Sequence, residues 1–142
     1  MPTTYDPYFD TDVCVRRLYG WYKTHKTLVI AMDYDDTVFD FHGKGYSYPD
    51  VIAILKECSD LGFTIILFTT VVPSDTLNGE LGEKVKKLEV EYGIKVGFVN
   101  DGPVMSGAKK PYYNLLLDDK AGLYQAYVIL KKTLGLIKNE TV

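Results

Sequence analysis

The sequence predicts an α/β fold, a three-layer Rossmann-like sandwich with a mainly parallel central sheet. Short apolar runs rich in β-formers alternate with segments whose apolar residues recur at helical spacing. This alternation is typical of parallel strands joined by helical crossovers. In addition, three of the apolar runs end in polar side chains, at Asp33, Thr69 and Asp118. Parallel strands bring their carboxyl ends to one edge of the sheet, where such folds bind ligands, so we expect these three side chains to lie close together.

The elements in the first half of the chain follow from periodicity and from turn residues. Apolar side chains at helical spacing predict a helix over residues 12–24, and the continuous β-rich run at 27–32 predicts a buried strand. After a loop that contains glycine, Pro49 suits the first turn of a second helix and Gly62 suits its end.

The second half repeats the same alternation. We predict a buried strand over 63–68, an amphipathic helix over 80–92 that ends at Gly93, and a short strand over 95–99. A fourth strand covers 115–117, and the last helix covers 121–137. The segments that connect these elements are too short to contain a further domain.

Length and composition predict one ordinary soluble globular domain. The chain has 142 residues, of which 46% are hydrophobic and 25% are charged. We therefore assign residues 1–142 to a single domain, with residues 1–10 as a loose N-terminal arm. A net charge of -3 argues against broad nucleic-acid binding and against binding to an anionic membrane. Since no signal, transit peptide or membrane-length apolar run is recognisable, we expect a cytoplasmic protein. Cys14 and Cys58 lack the spacing of zinc ligands and are expected to be buried, reduced thiols.

The acidic residues that follow the first strand are the strongest functional signal. Asp33, Asp35 and Asp36 come directly after an apolar run, and Asp118 and Asp119 end another. Unpaired carboxylates are too costly to bury, and several at one point repel each other unless a hard cation such as Mg²⁺ neutralises them. The pattern therefore predicts a metal site that can also bind phosphate. The alternative is that these carboxylates cap the helices and loops that follow them.

In their order and spacing, these residues resemble the haloacid dehalogenase (HAD)-like superfamily of phosphohydrolases. Four elements over residues 27–137 carry the resemblance: Asp33-x-Asp35-x-Thr37, then Thr69 or Thr70, then Lys110 or Lys109, and finally Asp118-Asp119. The short connections between them are similar to those of a small, capless member.

The resemblance implies a Mg²⁺-dependent phosphomonoester hydrolase that works through an aspartyl-phosphate. Asp33 would be the nucleophile and Asp35 the general acid and base. The Asp33 carboxylate, the Asp35 carbonyl and the Asp118 carboxylate would hold Mg²⁺.

The resemblance also implies roles for the other residues of these four elements, which would bind the phosphate or support the metal site. Thr69 and Lys110 would bind the phosphoryl oxygens. Asp119 would support the metal or orient Lys110, and Thr37 would order the turn after the first strand.

The substrate is less well defined than the chemistry. Four tyrosines in or near the predicted rim favour a nucleotide or a phosphorylated nucleic-acid end, because their rings can stack on a base; they are Tyr34, Tyr46, Tyr48 and Tyr112. A sugar phosphate or another phosphorylated metabolite is the alternative substrate. An alternative from another class is a non-catalytic module that binds phosphate or accepts a phosphoryl group.

Three further residues in or near the predicted rim have open roles. Asn100 and Asp101 either line the site or form a plain turn before Gly102. His42 lies in the loop that follows the acids, from which it can approach a substrate. An open site of this kind would be closed by loop 39–48 or by a neighbouring subunit of a homo-oligomer.

Overall fold

The central sheet has four strands, all parallel, in a computed structural model that describes residues 6–70, 80–103 and 109–140. The strands are β1 (Val29–Asp33), β2 (Thr64–Phe68), β3 (Phe98–Val99) and β4 (Leu115–Leu117). They lie in the order β3-β2-β1-β4, with helices packed against the sheet. This architecture confirms the predicted α/β, Rossmann-like fold.

The helices lie close to their predicted positions. They are α1 (Thr11–His25), α2 (Pro49–Asp60), α3 (Glu80–Lys86) and α4 (Leu123–Glu140). The segment predicted as one helix over 80–92 changes at Lys87 into a π-helical turn, Lys87–Glu91, and Gly93 follows it with φ of +70°. Because glycine has no Cβ, it adopts this left-handed conformation without strain and ends the helical segment.

The N-terminal segment is described from residue 6, so residues 1–5 of the predicted arm lie outside the described part. A short 3₁₀ helix, Pro7–Phe9, precedes α1. It contacts α1 at two points: the Arg17 guanidinium lies 3.8 Å from the centre of the Tyr8 ring, and the Cys14 thiol donates a hydrogen bond to the Tyr8 carbonyl.

The sheet is buried on both faces, and the main core cluster includes both cysteines. The strand residues that point to one face are fully or almost fully buried: Ile30, Met32, Ile65, Leu67, Leu115 and Leu117. Ala31 and Ile66, which point to the other face, are fully buried as well. Cys14 and Cys58 are buried and free, as predicted. Within the described residues, no helix combines the length and the apolar character needed to cross a membrane.

The strand register sets the position of the site. Met32 of β1 lies level with Leu67 of β2 on one side and with Leu117 of β4 on the other. Asp33 and Asp118, each the next residue in its own chain segment, therefore reach the same edge of the sheet.

Candidate functional site

The chain reverses direction immediately after β1. The Tyr34 carbonyl accepts hydrogen bonds from the backbone N–H groups of Thr37 (3.4 Å), Val38 (3.1 Å) and Phe39 (3.2 Å). Asp36 adopts a left-handed φ of 59°, which aspartate tolerates better than most residues. This tight turn keeps Asp33 and Asp35 at the carboxyl edge of the sheet. The Tyr34 side chain is only 3% exposed, so the prediction that its ring can stack on a base at the rim is wrong.

Three carboxylates meet at this edge. Asp33, Asp118 and Asp119 each offer an oxygen atom, and these atoms lie within 4.8 Å of one another. Asp33 and Asp118 are half-buried, whereas Asp119 is exposed. The sequence predicted that the acids after the first strand would lie close to the Asp118-Asp119 pair, and the structure brings Asp33, Asp118 and Asp119 together.

The crowding of these acids changes the protonation of Asp33. Burial and then the negative charge of Asp118 raise the pKa of Asp33 from 3.8 to about 7, and a hydrogen bond with Asp119 adds to the effect. Near neutral pH the group therefore carries a proton more readily than an ordinary aspartate does. A cation placed among the three oxygens would offset the part of this shift that comes from the neighbouring negative charges.

Hydrogen bonds hold the turn that carries Asp118 and Asp119. The buried Thr37 hydroxyl accepts a hydrogen bond from the Asp119 N–H at 3.2 Å. The Asp118 carboxylate accepts one from the Lys120 N–H at 2.9 Å. Thr37 thus joins the turn after β1 to the turn after β4, close to the ordering role predicted for it.

Asp35 pairs with a lysine that the sequence did not single out. The Lys84 ammonium of α3 lies 3.2 Å from the Asp35 carboxylate, and Lys84 is only 9% exposed. The same ammonium lies 4.3 Å from the centre of the Tyr34 ring and 5.8 Å from that of Phe39. In the sequence Lys84 is one of several lysines in an amphipathic segment, so only the docking of α3 against the turn after β1 distinguishes it.

The lysines predicted to bind phosphate lie in a different environment. Lys109 and Lys110 are exposed, and the Lys110 ammonium lies 5.4 Å from the centre of the Tyr113 ring. Among the described lysines, Lys84 is the one whose ammonium forms an ion pair with a predicted site carboxylate. The role of Lys110 as a phosphate ligand stays a prediction.

Thr69 is held at the end of β2 by Asn100. The Asn100 side chain accepts a hydrogen bond from the Thr69 N–H (2.9 Å) and donates one to the Thr69 carbonyl (2.8 Å). Asn100 itself has a left-handed φ of 51°. Asp101 accepts a hydrogen bond from the Gly102 N–H at 2.8 Å, as expected of a turn residue. Asn100 is thus part of the frame around the site, a role that its position before Gly102 left open.

Loop 39–48 is ordered by two carboxylates. The Asp40 side chain accepts backbone hydrogen bonds from three residues, Lys44, Gly45 and Tyr46. His42 Nδ1 lies 2.8 Å from the Asp36 carboxylate, and the Tyr48 hydroxyl donates to Asp36 at 3.5 Å. His42 therefore contacts Asp36 in the turn after β1.

The remaining rim tyrosines are separated by the fold. Tyr46 is 62% exposed and its ring contacts that of Tyr48 beside the acids. Tyr112 instead packs against Trp21, at a ring distance of 5.2 Å, in a groove of about 490 Å³ between α1, β4 and α4. Of the four predicted rim tyrosines, Tyr46 and Tyr48 lie on the loop that follows the acidic turn.

Comparison with known proteins supports the fold. A solved structure of a conserved protein from Bacteroides thetaiotaomicron is similar, with a TM-score of 0.54 and 21% sequence identity. The similarity covers 75% of this chain and 91% of that chain. No protein-family model and no curated protein matches the sequence.

Proposed function

We propose that this protein is a Mg²⁺-dependent phosphomonoester hydrolase of the HAD-like type. The observation that carries the proposal is the meeting of Asp33, Asp118 and Asp119 at the carboxyl edge of a parallel sheet. Asp33 and Asp35 follow β1, and Asn100 holds Thr69 at the end of the neighbouring strand. These positions agree with three of the four sequence elements, and the place of the lysine element stays a prediction.

The donor set suits magnesium. Mg²⁺ prefers carboxylate and carbonyl oxygens. After burial, the negative charges of Asp118, Asp119 and Asp35 raise the pKa of Asp33, and a bound cation would offset these charges. Asp33, Asp118 and the Asp35 carbonyl would hold the ion, with Asp119 beside them. When bound, Mg²⁺ would offset the repulsion between the carboxylates and a phosphate dianion.

The residues can then divide the reaction into two steps. In the first, an Asp33 oxygen attacks phosphorus, the bond from phosphorus to the ester oxygen breaks, and Asp35 gives that oxygen a proton. In the second, Asp35 takes a proton from water, which attacks the phosphorus of the aspartyl-phosphate. Inorganic phosphate leaves and the Asp33 carboxylate is restored.

The phosphoryl oxygens also need donors that do not titrate near neutral pH. The Thr69 hydroxyl and a lysine ammonium would offset the charge that develops on these oxygens. Lys110 fits the order of the sequence elements, whereas Lys84 is the lysine in contact with Asp35.

The exposed aromatic residues favour a substrate with a planar group. Loop 39–48 carries Phe41 and Tyr46, which are 56% and 62% exposed, on a backbone fixed by Asp40. Aromatic side chains held in this way can stack on a nucleobase. We therefore propose a nucleotide or a phosphorylated nucleic-acid end as the substrate, with a sugar phosphate as the alternative.

A substrate panel with matched variants tests the proposal. Nucleotides, 3′- and 5′-phosphorylated oligonucleotides and sugar phosphates are each assayed for phosphate release, with and without Mg²⁺. We expect Mg²⁺-dependent release that favours the nucleotide group, and a loss of about 10³-fold or more in Asp33→Asn. Asp12→Asn, which removes an exposed acid of α1, should retain activity. Retained turnover in Asp33→Asn would rule out the covalent mechanism.

A further inference from the structure

Lys84 is an unusual lysine because its charge is buried at the site. Its side chain is 10% exposed and that of its partner Asp35 is 27% exposed, so little water screens the ion pair at 3.2 Å. A buried ammonium is costly without a partner, and here the partner is one carboxylate together with the face of the Tyr34 ring at 4.3 Å.

The ion pair also limits where the Asp35 carboxylate can point. The backbone of Asp35 is held by the turn after β1, in which the Asp36 N–H donates to the Phe39 carbonyl at 2.7 Å. The turn fixes the Cα of Asp35 but not its side-chain rotamer. The hydrogen bond from Lys84 Nζ to Asp35 Oδ1 supplies this missing constraint.

We propose that Lys84 is a positioning residue that holds the Asp35 carboxylate oriented for the second half of the reaction, the attack of water on the aspartyl-phosphate. This inference rests on the proposed phosphohydrolase function. In this step Asp35 must accept a proton from water, and the ammonium keeps its carboxylate in one place until it does so. In this role Lys84 acts through its contact with Asp35, and no contact with the water or the phosphoryl group is required.

With a phosphoryl donor whose leaving group needs little help from an acid, the role predicts an effect on the second step only. Acetyl phosphate labelled in its phosphoryl group is a suitable probe, because its acetate leaving group needs little help from an acid. In Lys84→Met the label should enter the protein at a rate within about threefold of the wild type. The labelled protein should then lose its phosphate about tenfold or more slowly than the wild type. Lys84→Arg keeps the charge and should restore most of the lost rate.

A second lysine provides the matched control. The Lys87 ammonium lies near the Phe39 ring at 5.5 Å and the Tyr92 ring at 5.9 Å. Lys87→Met therefore removes a charge one turn further along, and should leave the lifetime of the labelled protein unchanged. Lys84→Gln is the second variant if Lys84→Met does not fold.

The outcomes separate this role from the proposed function. A wild-type protein that never takes up label would overturn both. A labelled wild type whose phosphate is lost equally fast in Lys84→Met would overturn the role of Lys84 alone. Slower labelling together with a raised KM in that variant would also overturn it, since Lys84 would then be a phosphate ligand.

Discussion

At the scale of single residues, the Asp33 carboxyl carries the account. Burial and the nearby Asp118 raise its pKa to about 7. Without a bound metal, Asp33 therefore keeps its proton to a higher pH than an ordinary aspartate does. The sequence predicted that the acids would meet, because strand ends in a parallel sheet share an edge. How close the carboxylates come to one another depends on side-chain positions, which the spacing of residues in the sequence does not predict.

The shift of Asp33 predicts a pH-dependent stability. Its pKa is 3.8 in the unfolded chain and about 7 in the folded one. The folded state therefore binds more protons between these values, and the free energy of unfolding falls as the pH rises from about 4 to about 7. Asp33→Asn has no carboxyl to titrate at this position, so this fall in the free energy of unfolding is absent. The variant should therefore become more stable relative to the wild type as the pH rises. Urea unfolding without Mg²⁺ at several pH values measures the difference. A difference that is constant with pH would contradict the prediction.

Asn100 is a second residue whose role is testable. Asn100→Gly keeps the left-handed φ of 51° but removes both hydrogen bonds to Thr69. We expect a loss of about 1–2 kcal/mol in the free energy of unfolding and a raised KM for the phosphate ester, because two hydrogen bonds that position the Thr69 backbone are lost. Asp101→Ala, which removes the hydrogen bond to Gly102, is the comparison variant. An unchanged KM in Asn100→Gly would show that Thr69 does not depend on this contact.

At the scale of elements, two turns form one unit. Thr37 lies in the turn after β1 and bonds the Asp119 N–H in the turn after β4. Thr37→Val keeps the shape of the side chain and removes the acceptor, so we expect a loss of about 1 kcal/mol in stability and weaker Mg²⁺ binding. Thr37→Ser should keep both. Calorimetric titration with Mg²⁺ compares the variants. Equal Mg²⁺ affinity in Thr37→Val and Thr37→Ser would contradict a role of this hydrogen bond in metal binding.

The elements also show what a sequence can predict. The strand over 115–117 was predicted at its observed bounds, and Gly93 marks the end of its helical segment as expected. Both depend on local preferences. The π-helical turn at Lys87–Glu91 and the burial of Lys84 depend instead on how α3 packs against the turn after β1. The helical spacing of apolar residues shows which face of a helix is apolar. It does not show which polar residue next to that face contacts a carboxylate.

At the scale of the whole molecule, the proposed metal binding would be linked to stability. If Mg²⁺ binds the folded state alone, a free concentration of about 100 times its Kd adds about 2.7 kcal/mol to the free energy of unfolding. The melting temperature should therefore rise with Mg²⁺ in the wild type and much less in Asp118→Asn. Asp60→Asn, on the exposed end of α2, should respond as the wild type does. An equal rise in all three proteins would place the metal elsewhere.

The covalent intermediate is the most direct test of the central claim. The protein is incubated with Mg²⁺ and a labelled phosphoryl donor, quenched in acid and digested, and the phosphorylated peptide is sequenced by mass spectrometry. We expect a phosphoryl group on Asp33, at the end of β1, that requires Mg²⁺ and is absent from Asp33→Asn. Phosphate release by a protein that carries its label on another residue, or that never carries one, would contradict it.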